Sequence, residues 1–249
     1  MGGFSPKWEV KDPEGRKWSV KMGPEASSEV TTSRILWGVG YHQPPNYYLG
    51  WWRVGRDQRV QNGSPGRFRP ELKELDSKGG WAWVQNPFAD TVQFRGLLVL
   101  LAMLNSADLK DDNNSVYELS RPRDGVRRWF VVRDLGSSLG ETGWRPQRND
   151  VELFEQSRFI TGIEGGFLRF GIKGRFPGRF EHLRPEDARW IGQRLRRLTP
   201  GQWRDAFRAG GYDEATGERY IRAIGRRIEA ALAVQDSGLA TQQKANSRM

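Results

Sequence analysis

Cysteine is absent from this chain, and histidine occurs only twice, at positions 42 and 182. The first absence excludes disulfides, thiolate zinc sites and cysteine nucleophiles. The second leaves little for a histidine-rich metal centre and argues against a Ser-His-Asp triad. Long hydrophobic runs are missing as well. The longest, residues 96–104, is far shorter than the roughly 20 apolar residues a membrane helix needs, so no spanning segment is expected. Met1-Gly-Gly-Phe-Ser-Pro6 lacks the basic and apolar regions of a signal peptide. Pro6 also stands where a myristoylation motif wants Ser or Thr. The chain therefore reads as cytoplasmic. It begins very close to its first strand, which leaves open a missing upstream part.

What is present is enough for one ordinary domain or one domain of two lobes: 249 residues, 37% of them hydrophobic. The formal charge of +10 favours anionic partners such as nucleotides, phosphorylated substrates, nucleic acid or acidic membrane. A solvated basic surface explains the same number equally well.

Alternation in residues 7–10 and 17–21 predicts two strands around the turn Asp12-Pro-Glu-Gly15. Gly23-Pro24 opens a helix with Glu25 and Glu29 near its positive end, and the helix runs to about Gly40. Strands are expected at residues 47–54 and 81–84, with a polar loop at Asn62-Gly-Ser-Pro-Gly66 between them. Residues 90–105 make a helix apolar nearly all round, hence buried. A polar loop at 106–114 follows, then strands at 116–119 and 129–132 around Pro122-Arg-Asp-Gly125. Residues 136–150, Gly-rich and polar, read as a mobile segment, and 159–172 as a hairpin about Gly165-Gly166. Three helices begin near Pro185, Pro200 and Asp213, and the polar tail from 235 reads as disordered. Strands with one helix come first and a mainly helical half second, an order that suggests two lobes with a cleft between them.

The chemistry concentrates in Asp108-Leu-Lys110-Asp-Asp-Asn113 and, after the strand pair, Asp134-Leu-Gly136. Phosphoryl transfer from ATP needs a carboxylate to orient or deprotonate an acceptor hydroxyl, and an Asn and an Asp to hold magnesium on the triphosphate. Asp108 suits the first role, and Asn113 and Asp134 suit the second. Lys110 could stabilise charge on the moving phosphoryl group, or be a solvated loop lysine. The neighbouring Asn114 is the rival of Asn113, and the five-residue step from Asp108 favours Asn113.

With Ser5-Pro-Lys7 before the first strand, Trp18-Ser-Val-Lys21 on the second and the helix acids Glu25 and Glu29, these motifs give a resemblance over residues 4–136. The chain resembles the protein-kinase-like superfamily, in its atypical bacterial branch near the HipA-type kinases. The resemblance implies an α+β, bilobal protein-kinase-like fold. A small β-rich N-lobe with one helix would occupy residues 1–85, a larger mainly helical C-lobe 86–235, and a disordered tail 236–249. It implies ATP and Mg²⁺ as cofactors, with Lys21 on the phosphates, Glu29 holding Lys21, and Ser5 and Lys7 in the nucleotide-binding set. Glu25, one turn before Glu29, is the rival partner but reads better as a helix-dipole acid.

Some family parts are missing. Ser106-Ala107 precede Asp108 where protein kinases carry His-Arg, a full Gly-x-Gly-x-x-Gly loop is absent, and no Ala-Pro-Glu follows Asp134. The acceptor, a protein or small molecule, is therefore not specified. These gaps also support a competing reading as a nucleotide-binding pseudokinase or scaffold. Charge alone supports a third, a basic nucleic-acid-binding protein. The aromatic cluster Tyr47-Tyr48-Leu-Gly-Trp51-Trp52 reads as packing before base stacking, and Arg194-Leu-Arg-Arg197 as a solvated helix face.

Overall fold

Alternation of side chains builds the first sheet of the computed structural model, which describes residues 7–56, 59–142, 148–174 and 178–235. Strands β1 (Lys7–Lys11) and β2 (Lys17–Met22) meet at a turn whose Gly15 has φ of +80°. The Asp12 carboxylate accepts from the Arg16 amide at 2.8 Å and from the Trp18 indole at 3.0 Å. With β3 (Tyr47–Leu49) and β6 (Gly66–Pro70) they form an antiparallel sheet of order β1-β2-β6-β3. Its register aligns Trp8, Val20, Phe68 and Tyr47 in one row and Lys7, Lys21, Arg67 and Tyr48 in the next. Successive side chains point to opposite faces, so one face is apolar and the other cationic. The hairpin of β4 (Trp52–Arg56) and β5 (Arg59–Gly63) covers the apolar face. Its Trp52 sits edge-on to Trp8 and Phe68 at 5.7 and 5.2 Å.

The cationic face meets α1 (Glu25–Gly38), which ends near Gly40, where φ is +101°. This helix buries Glu25, Ser28, Glu29, Thr31 and Thr32 as well as Val30, Ile35 and Leu36. It lies so close to α5 (Pro200–Ala209) that a Cβ on Gly210 would collide with the Thr31 hydroxyl and stand 2.8 Å from the Ser27 carbonyl oxygen.

Between Pro70 and Leu75 the chain passes to a second sheet, β7 (Leu75–Ser77), β8 (Asn114–Arg123) and β9 (Val126–Val132). The β8–β9 turn places Asp124 and Gly125 at φ of 51° and 76°, as a two-residue hairpin turn requires. Helix α2 (Val92–Met103), capped by the Thr91 hydroxyl accepting from the Phe94 amide at 3.2 Å, runs through the main core with Leu98 to Leu104 fully buried. Around it lie α3 (Val151–Gln156), the hairpin β10 (Ile160–Glu164) and β11 (Phe167–Phe170), α4 (Pro185–Leu195), α5 and α6 (Glu214–Ala233). Arg227 of α6 is buried against them, donating to the carbonyls of Met103 (2.6 Å), Phe154 (2.8 Å) and Ser157 (3.1 Å). Among the described residues no helix is long and apolar enough to cross a membrane.

Three expectations are corrected. Residues 81–84 are not a strand: Trp81 and Trp83 are both buried, and the Trp81 indole donates to the Val131 carbonyl at 3.1 Å. Aromatics two apart imitate strand alternation, but here both rings enter one core. The polar loop at 62–66 shrinks to Ser64 and Pro65, because Asn62 and Gly63 belong to β5 and Gly66 begins β6. The part of the Gly-rich segment next to Asp134 is packed rather than mobile. Ser138 and Leu139 are fully buried, and the Leu139 carbonyl accepts from the Tyr220 hydroxyl at 2.9 Å. Residues 143–147 of that segment, and the tail from 236, lie outside the described residues.

Candidate active site

Lys21 stands on the cationic face of β2, 5% exposed, with its amine among three carboxylates. Nζ lies 2.7 Å from Glu25 Oε2, 2.8 Å from Asp134 Oδ1 and 3.3 Å from Glu29 Oε2. Residues 21 and 134 are thus brought together across more than a hundred positions of chain. Glu25 and Glu29 share a helix face one turn apart, which brings both to the same amine. The remaining oxygen of Glu29, Oε1, takes Arg67 Nε at 2.9 Å and Arg69 Nη2 at 3.1 Å. Glu25 Oε1 pairs with Arg148. Glu25, expected as a helix-dipole acid before a rival partner of Lys21, is the carboxylate nearest to that amine.

Four cations therefore face three carboxylates. Taking each ion out of water costs several kcal/mol, and mutual attraction repays this only in part. Burial and the neighbouring Arg67 push Arg69 down to about 10, so it keeps its charge at neutral pH. Burial alone would raise Asp134, but the charge and hydrogen bond of Lys21, the Gly136 amide and the charge of Lys7 together hold it below its ordinary value. Lys7 is the residue directly opposite Lys21 on β1. Ser5 lies outside the described residues.

The loop after α2 carries Asp108, whose backbone amide donates to Ser137 Oγ at 3.3 Å. Ser137 follows Gly136, so the two acidic loops adjoin. Lys110 Nζ lies 2.9 Å from Asp108 Oδ2. The Asn113 side chain donates to the Asp108 carbonyl at 3.0 Å, which folds it back over the loop. Asn114 is buried and donates to the Trp81 carbonyl at 3.0 Å, a packing role that removes it as a rival of Asn113. Asp111 accepts from the Trp83 amide at 2.8 Å. Ser28 of α1 donates to the Gly136 carbonyl at 2.8 Å, and a Cβ on Gly136 would stand 2.8 Å from the Glu25 Cβ. Helix α1 and the Asp134-Leu-Gly136 segment are thus in direct contact.

A pocket of about 660 Å³ opens on the same sheet face, lined by Ser19, Arg69, Leu72, Tyr117 and Arg133 among others. Ser19 is two residues before Lys21, and Arg133 immediately precedes Asp134. A larger hollow of about 1190 Å³ lies at Trp8, Trp18, Trp52 and Phe68, on the apolar face, and reaches Lys7 at the sheet edge. The smaller one meets the charged cluster through Arg69, the partner of Glu29. Among the described residues no three His, Cys, Asp or Glu side chains converge as a metal cage. Asp134 and the Asn113 amide oxygen are hard donors of the kind magnesium takes when phosphate oxygens and water complete its shell. Arg67, Arg69 and Arg148 were not foreseen. The one signal for the first two was the Arg-Phe-Arg alternation, readable only once β6 is known to pair with β2.

No protein-family model and no curated protein sequence matches this chain. Among solved structures it is similar to the crystal structure of the proinflammatory kinase CtkA of Helicobacter pylori. That likeness has 12% identity, covers 93% of this chain and 92% of that one, and has a TM-score of 0.51. It shows the fold: mixed α and β, bilobal and kinase-like.

Proposed function

We propose that the protein is an ATP- and magnesium-dependent phosphotransferase that moves the γ-phosphoryl group to a hydroxyl of a protein or small molecule, with affinity to the HipA-type branch suggested by its motifs. The observation that carries this reading is the buried Lys21 amine 2.8 Å from Asp134, beside a pocket on the cationic sheet face. The kinase-like fold supports it. A net excess of buried positive charge suits a triphosphate.

In this reading Lys21, assisted by Lys7 and by Ser5, binds phosphate oxygens and is held by the acids of α1. Asp134 and Asn113 would hold Mg²⁺, which would supply charge neutralisation on the triphosphate. Asp108 orients the acceptor hydroxyl and takes its proton. The acceptor oxygen forms a bond to the γ-phosphorus as the bond from that phosphorus to the bridging oxygen breaks, leaving ADP. Lys110, 2.9 Å from Asp108, faces the charge that builds on the transferred group.

Mg·ATP at saturating concentration is expected to raise the melting temperature of wild type and of Asp108→Ala alike. ATPase or autophosphorylation activity should fall by about 10²–10⁴-fold in the variant. Equal phosphate release from the two proteins would remove the enzyme assignment and leave a nucleotide-binding scaffold. No thermal shift with Mg·ATP, but one with nucleic acid, would favour the third reading.

A further inference from the structure

Resting on the reading of Lys21 as the phosphate-binding amine, we propose that Glu25 is its working partner, and that Arg67 and Arg69 are positioning residues that fix α1 through Glu29. In protein kinases one helix acid holds the lysine; here two acids share the face and their contacts differ. Glu25 reaches Lys21 at 2.7 Å, within charge-assisted hydrogen-bond range, whereas Glu29 stands at 3.3 Å. Glu29 is 1% exposed, its Oε1 is engaged by two arginines, and its Oε2 makes no hydrogen bond. The arginines are themselves anchored. Arg67 Nη1 donates to the Ser19 carbonyl at 3.1 Å, and Arg69 Nη2 donates to the Arg133 carbonyl at 3.2 Å. Glu29 is thereby tied to β2, β6 and the residue before Asp134, and its charge is spent on them. Glu25 keeps one oxygen on Lys21 and turns the other to Arg148, so it links the amine to the chain that follows Asp134-Leu-Gly136.

Division of labour between the two acids predicts a ligand-dependent difference. Lys21 touches phosphates, so its partner matters for ATP and not for adenosine. Dissociation constants for Mg·ATP and for adenosine are measured by calorimetry on wild type, Glu25→Gln, Arg67→Met and Arg67→Lys. Glu25→Gln leaves Lys21 paired with Asp134 and Glu29. It should weaken Mg·ATP roughly tenfold or more while leaving adenosine unchanged, and should have no further effect in a Lys21→Met background. Arg67→Met should weaken Mg·ATP in the same selective way, with part of the loss restored in Arg67→Lys.

Equal weakening of both ligands by Glu25→Gln would overturn the proposal. So would a selective loss in Glu29→Gln with none in Glu25→Gln, or no selective loss in Arg67→Met. If Glu25→Gln does not fold, Glu25→Asp is measured under the same criteria. A wild type that binds neither ligand overturns the underlying functional reading instead.

Discussion

At Asp134 two influences oppose each other: burial disfavours its charge, while Lys21, the Gly136 amide and Lys7 favour it, and the second group prevails. A carboxylate whose folded pKa lies below the ordinary 3.8 contributes stability that is present above that value and lost as the pH falls through the lower one. Wild type should therefore exceed Asp134→Asn in denaturant midpoint at pH 6. The gap should close as the pH is lowered below 3.8 and through the depressed folded value. A gap that stays constant across the titration contradicts the assigned ion pair. Single residues were unevenly legible. Asp108, Asn113 and Asp134 stood out because a fixed spacing beside a buried helix is visible in one dimension. The rank of Glu25 over Glu29 was not, because both satisfy the same helical spacing and only the distances to one amine separate them. Arg227 was hidden for another reason: a buried arginine satisfied by carbonyls carries no mark in the sequence that sets it apart from its exposed neighbours on α6.

Among the elements, α1 and the Asp134-Leu-Gly136 segment are in close contact near the chemistry. Gly136→Ala would place a Cβ 2.8 Å from the Glu25 Cβ, so helix or loop must give way. Overpacking of this kind costs about 1–3 kcal/mol. The expected result is a lower melting temperature together with weaker Mg·ATP binding, and unchanged values for both would show that the contact is slack. Helix α2 and the hairpins β8–β9 and β10–β11 were readable because an all-round apolar run and paired turn residues are strong local signals. Strands β5, β6 and β7 were not. In β6 both faces are buried, Phe68 on one and Arg67 and Arg69 on the other, so arginines that read as a solvent face are covered, and the compensation comes from Glu29 some forty residues earlier. Trp81 and Trp83 misled in the opposite sense, with strand spacing and no strand.

Across the whole molecule the two cores differ greatly in size. Behind the first sheet, among the described residues, Val20, Trp52 and Phe68 are buried together, whereas the main core joins α1, α2 and the helices α3 to α6. Local opening free energy follows buried apolar contact. Amides of β1, β2 and β6 should exchange hydrogen well before those of α2 and α6, and Mg·ATP should slow exchange in the first group most. Uniform protection across both regions would refute this ordering. Two lobes were legible from element order, since strands cluster early and helices late. The attachment of α1 was not, because its face is rich in Ser and Thr and gives no apolar stripe to trace. That attachment has a mechanical consequence. Gly210 admits no side chain because the end of α5 is pressed against Ser27 and Thr31, so the helix bearing Glu25 is fastened to the larger body on one side, while Glu29 ties it through Arg67 and Arg69 to the strands on the other. Any displacement of the sheet against the larger body must therefore strain this helix from both sides. Grip on the phosphates and the angle between the bodies thereby become one variable.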